Sequence, residues 1–170
     1  MIDNFDSFTY NLVDYFKQLG CEVIVYRNNI KAEILDEVDF DLLVISPGPS
    51  TPKNAGNLFE IIGKFYLTKP IFGICLGHQA LIEFFGGSLK LIPPQHGKAD
   101  IIISDQQSIY DSLPDKNLKA ASFHSLLHEK KFQFLFEVSC LHSTRRHHNW
   151  SHYRHKNTSI EGRAISSYES

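Results

Sequence analysis

Nowhere in the 170 residues does an apolar run approach the roughly 20 that a membrane-spanning helix needs, so no membrane partner is expected. The opening Met1-Ile2-Asp3-Asn4 lacks the basic start and apolar stretch of a secretory signal. Cysteine is scarce: three residues, an odd number, argue against a disulfide framework and for a reducing compartment in which a thiol can serve chemistry. Basic charge is not in excess either. A net charge of -2 carries no whole-chain signature of nucleic-acid binding. Internal repeats are absent, and no linker splits the chain.

What is present is an ordinary globular composition, 42% hydrophobic and 21% charged, in a chain long enough for one domain with a substantial core. Its first 100 residues alternate between strand and helix patterns. Asn11 to Leu19 has apolar residues at helical spacing and stops at Gly20. Glu22 to Arg27 is short and β-branched, hence a strand. Phe40 to Ile45 and Pro70 to Cys75 are apolar runs of the kind that form buried parallel strands. Leu58 to Leu67 and Gly77 to Phe85 read as helices, the second closed by Gly86-Gly87. This alternation predicts an α/β fold, a mainly parallel sheet flanked by helices. The first strand is short, since only Met1 and Ile2 precede Asp3, which leads us to expect a few further residues before it.

The densest chemical signal is Gly73-Ile74-Cys75-Leu76-Gly77-His78-Gln79. A strand runs into Cys75 and a helix leaves directly after it, the pattern of a nucleophile elbow. Glycines two residues before and after the nucleophile leave room for a sharp turn. The positive end of the outgoing helix and a nearby histidine are expected to activate the thiol. The N–H of Leu76 is the expected first donor to an oxyanion. The bland alternative, a buried small hydrophobe, fits Cys21 and Cys140 better, because neither has this setting. His78 is an unpromising base: in the first helical turn its side chain need not face the thiol. A second signal is Ser46-Pro47-Gly48-Pro49-Ser50-Thr51-Pro52, at the carboxyl end of a strand, where ligands of open α/β sheets bind. Gly48 permits close backbone approach and could offer a second oxyanion N–H. A plain proline turn is the alternative.

Together these motifs resemble the class I glutamine amidotransferases. Asp3-Asn4-Phe5-Asp6-Ser7-Phe8-Thr9-Tyr10-Asn11-Leu12, His96-Gly97-Lys98 and Phe123-His124-Ser125-Leu126 resemble its anthranilate synthase component II and para-aminobenzoate synthase branch. The resemblance covers about residues 1–138. It implies a glutaminase subunit in which Cys75 forms a γ-glutamyl thioester and Gly48 and Leu76 bind the oxyanion. Gln79, Ser125, Leu126 and the Gly48-Pro49-Ser50 loop would contact glutamine, with Ser50 standing where the family usually has glycine. The His-Gly-Lys and Asp-Ser-Phe segments would sit near a chorismate-binding synthase subunit that receives the ammonia, for tryptophan or folate synthesis. Thioester chemistry of this kind requires no metal and no organic cofactor. Cytoplasm or plastid stroma is the implied location.

The family's triad is completed by a His and a Glu in a C-terminal Gln-Phe-His-Pro-Glu-Ser motif, which this chain lacks. From Ser139 the sequence changes character. Apolar periodicity stops, and six of the nine histidines are His128 and those between His142 and His155. Residues 139–170 by themselves read as a solvated basic tail or a metal- or nucleic-acid-binding segment. A third reading comes from back-translation. Shifted by one base, codons 156–167 can read Lys-Thr-Leu-Pro-Leu-Lys-Gly-Val-Gln-Phe-His-Pro, and the original frame then offers Glu169-Ser170. The tail is therefore expected to be out of frame, to replace core strands with polar residues and to cost the sheet an edge. A catalytically impaired binding subunit is the rival function.

Overall fold

The computed structural model describes residues 1–103, 117–128, 136–138, 153–155 and 160–163, with side chains up to residue 89. The elements run β1 (Ile2–Asp3), α1 (Thr9–Gln18), β2 (Tyr26–Arg27), β3 (Leu43–Ile45), α2 (Leu58–Phe65), β4 (Ile71–Ile74), α3 (Leu76–Phe84), β5 (Leu89–Ile103), β6 (Asn117–His128), β7 (Phe136–Val138), β8 (Tyr153–His155) and β9 (Ile160–Arg163). Short 3-10 turns occupy Ala32–Glu37 and Pro52–Asn54. Five strands form one parallel sheet in the order β2-β1-β3-β4-β9. β5 and β6 make a separate antiparallel pair, as do β7 and β8.

The expected α/β sheet is present, with strands shorter than their apolar runs. β2 occupies only the end of the predicted Glu22 to Arg27 strand because β1 has two residues to pair with it, Ile2 with Tyr26 and Asp3 with Arg27. A ladder extends only as far as both partners do. The N–H of Tyr26 donates to the Met1 carbonyl at 2.9 Å and completes that short ladder. α1 buries Thr9 and Val13, while Tyr15 and Leu19, on the predicted apolar face, stay exposed.

The core is aliphatic. Ile2 and Ile45 from the sheet meet Leu58, Ile61 and Ile62 of α2 and Leu76 and Leu81 of α3, all nearly inaccessible to water. Each such side chain contributes about 1.5–3 kcal/mol through burial. Phe84 closes one end, packed edge-on against Tyr66 and Phe85 with centroids 5.4 and 5.0 Å away.

One expectation about the tail is corrected. The sheet does not lose its edge, because Ile160–Arg163 pairs along the whole of β4, with Gly162 opposite Gly73 and Arg163 opposite Ile74. Four residues of extended backbone are enough for this, since the ladder uses main-chain groups that any sequence carries. The other histidine-rich residues, apart from Tyr153–His155, and Glu169-Ser170 lie outside the described residues.

Candidate active site

Three residues other than glycine have positive φ among the described residues: Phe5 at 60°, Ser50 at 69° and Cys75 at 51°. They follow β1, β3 and β4, so all three lie on the carboxyl edge of the parallel sheet. Backbone strain of this kind costs on the order of 1–3 kcal/mol per residue and concentrates at functional sites. The strand order reverses direction beside β1, so β1 and β3 flank the switch point at which open α/β sheets bind ligands.

Cys75 is the sharpest of the three. It caps the amino end of α3 at φ 51° and ψ −107°, directly after β4. The flanking glycines are sterically required. A β-carbon on Gly73 would come within 2.5 Å of the Gly77 carbonyl carbon, and one on Gly77 within 2.5 Å of the Ile45 carbonyl oxygen. α3 therefore lies too close to β4 for a side chain at Gly73 and too close to β3 for one at Gly77. The elbow inferred from the residue pattern is present in the backbone.

The thiol is half-buried, and its pKa is raised. Burial is the main cause, a backbone hydrogen bond with Leu76 opposes it, and the nearby Asp6 carboxylate adds a further upward push. The helix end was expected to help activate the thiol, but desolvation and a like charge push its pKa the other way. His78, in the first turn of α3, is 2% exposed and belongs to the packed interior.

The Pro47-Gly48 loop is wedged against this elbow. A β-carbon on Gly48 would lie 2.6 Å from Cδ2 of Leu76 and 2.5 Å from Cβ of Asn4. The loop and the residue after the cysteine are thus in contact. Pro49 and Ser50 are exposed beyond it, and Gln79 is half-buried one helical turn past Cys75, its N–H donating to the Cys75 carbonyl at 2.9 Å. Ser125 and Leu126 lie on β6, which approaches α3; their side chains are outside the described residues, as are those of His96 and Lys98 on β5.

A buried amide network supports this edge. Asn28, Asn4 and Ser46 are the first residues past β2, β1 and β3, and they are 5%, 1% and 0% exposed. The Asn28 amide donates to Oδ1 of Asn4 at 3.0 Å, and Nδ2 of Asn4 donates to the Ser46 carbonyl at 2.7 Å. The N–H of Asn4 donates to the Ser46 hydroxyl at 2.9 Å. Asn28 was not singled out from the sequence, and Asp6 only as part of the Asp-Ser-Phe segment expected near a partner subunit. The available signal for Asn28 was a polar residue placed directly after an apolar strand. The Asp-Asn-Phe-Asp-Ser-Phe-Thr stretch also has a structural task, since Oδ1 of Asp3 accepts from the Thr9 hydroxyl at 2.7 Å and from the Asp6 N–H at 3.2 Å.

Fold and elbow define a class: an α/β enzyme with a cysteine on a strained strand-to-helix turn at the sheet's carboxyl edge. Comparison with known proteins gives the family. The model of the glutamine amidotransferase class-I family matches residues 1–162, and the chain belongs to that family. Anthranilate synthase component 2 of Vibrio parahaemolyticus is 43% identical over 137 residues, covering 76% of this chain and 68% of that protein. The aminodeoxychorismate/anthranilate synthase component 2 of Bacillus subtilis is 45% identical over 129 residues, covering 75% and 66%. Among solved structures, a glutamine amidotransferase from Thermotoga maritima shares the fold at 15% identity, with a TM-score of 0.70 over 91% of this chain and 68% of that one. Among the described residues, no helix is long and apolar enough to cross a membrane.

Proposed function

We propose that this chain is the glutaminase subunit of an anthranilate synthase. Cys75 attacks the side-chain amide carbon of glutamine, ammonia leaves, and a γ-glutamyl thioester forms; water then releases glutamate and restores the thiol. The N–H groups of Gly48 and Leu76 hold the negative oxygen of each tetrahedral intermediate. Gln79, Ser125, Leu126 and the Pro49-Ser50 loop hold the substrate. The ammonia passes to a component I partner that aminates chorismate. The name of the Bacillus subtilis relative supports a second product, aminodeoxychorismate, from the same ammonia source. The single observation that carries this reading is the Cys75 elbow, with its enforced glycines and Gly48 packed on Leu76.

Burial raises the thiol pKa, so a base beside Cys75 fits this reading. The out-of-frame reading of the tail is consistent with strand β9. It runs parallel to β4, and Arg163 pairs with Ile74, immediately before Cys75. The chain therefore leaves β9 from the edge that carries the nucleophile. In the shifted frame the next four codons, 164–167, can read Gln-Phe-His-Pro, which would deliver a histidine from that edge. As written those positions are Ala164-Ile165-Ser166-Ser167, and none of these side chains can accept the thiol proton at neutral pH. A docking subunit with impaired catalysis is accordingly the second reading, favoured by that substitution.

Two measurements test these readings. A chloroketone analogue of glutamine should label Cys75 in preference to exposed Cys21. Equal labelling of both thiols would refute the glutaminase assignment. With component I present, glutamate release by the chain as written should fall about 10³-fold or more below that of a chain with the shifted tail restored. Equal rates would remove the need for the tail's histidine. Nucleotide sequence across codons 136–170 reads the frame directly.

A further inference from the structure

Ser46 has a place in the reaction, we infer, as the positioning residue that aims the Gly48 N–H at the reacting oxygen. This rests on the glutaminase reading above. The Ser46 hydroxyl is wholly buried and donates to the carbonyl of the next residue, Pro47, at 2.7 Å. Its oxygen accepts from the Asn4 N–H at 2.9 Å, so its single proton is committed to Pro47. The Pro47 carbonyl and the Gly48 N–H belong to one peptide plane. In a trans peptide they point in opposite directions, and no cis bond occurs among the described residues. Holding one end therefore sets the other.

The latch is needed because of the residue it controls. Gly48 lacks a β-carbon, as its contacts with Asn4 and Leu76 require. The same lack lowers the steric barrier to flipping the peptide in front of it. A flipped plane would present the Pro47 carbonyl, a negative dipole end, to a developing oxyanion. The Ser46 hydroxyl opposes that flip. Ser46 is itself held by Asn4, whose amide grips its carbonyl at 2.7 Å and is steadied by Asn28 at 3.0 Å. Asn28-Asn4-Ser46 thus forms a brace across three strand ends that terminates on one N–H.

The test separates chemistry that forms an oxyanion from chemistry that does not. Glutamate γ-semialdehyde adds reversibly to a thiol, so that the sulfur–carbon bond forms, the carbonyl π bond breaks toward oxygen, the thiol proton is lost to solvent, and the tetrahedral oxyanion sits between the two N–H groups. Iodoacetamide alkylates the same sulfur by displacement of iodide and forms no such oxygen. Ser46→Ala should weaken aldehyde binding by about 10- to 100-fold and leave the rate of Cys75 alkylation unchanged. Unchanged aldehyde affinity, or a parallel fall in both, would overturn the proposal. Should Ser46→Ala not fold, the wild-type chain with labelled glycine decides: the Gly48 amide proton must move downfield on aldehyde addition, and an unmoved signal overturns the assignment. A wild-type chain that takes iodoacetamide but not the aldehyde removes the glutaminase reading itself, and this proposal with it.

Discussion

Cys75 stores backbone strain. At φ 51° and ψ −107° a β-carbon is tolerated only because β4 and α3 impose the turn. Glycine suits that conformation, so Cys75→Gly should unfold at higher urea than Cys75→Ala, by about 1 kcal/mol. Both remove the sulfur, and an alanine variant of equal stability would show that the backbone there is relaxed. The thiol also predicts a pH profile. Burial and Asp6 raise its pKa, so at neutral pH less thiolate exists than in a free cysteine. Alkylation of Cys75 should keep accelerating with rising pH beyond the point where a free thiol levels off. A plateau at or below that of free cysteine would mean an activated nucleophile.

Between elements, the closest join is that of α3 with β3 and β4. Gly77→Ala would place a β-carbon 2.5 Å from the Ile45 oxygen and 2.8 Å from the Ile45 side chain. The helix would have to move off the strand, at a cost of about 3 kcal/mol. A urea midpoint equal to that of the parent chain would refute this. The helices were legible in the sequence to within a residue or two, because an apolar stripe at helical spacing and a terminating glycine are local. The strand lengths were not. Glu22 to Val25 have suitable residues, but a strand exists only where a neighbour supplies its hydrogen bonds, and β1 offers two residues.

Across the whole molecule, the sheet places its three strained residues on one edge, and β9 completes the opposite flank. β9 also covers β4, the strand that leads into Cys75. Cutting the chain before Ile160 should leave β4 as a free edge, lowering the melting temperature and raising light scattering through edge-to-edge pairing. Unaltered melting and scattering would show that β9 contributes nothing to the sheet.

The residue pattern alone determined the alternation of strand and helix and the cysteine elbow. Both rest on contacts between near neighbours: the side-chain period and the room a turn needs beside Gly73 and Gly77. Only the tertiary structure decided that Asn28 and Asn4, 24 residues apart, join Ser46, 42 residues beyond Asn4, in one brace. It alone set Asp6 beside the thiol and seated residues 160–163 along β4. Such pairings arise from how distant strand ends converge on one sheet edge, and nothing in the local spacing of residues encodes which ends will meet.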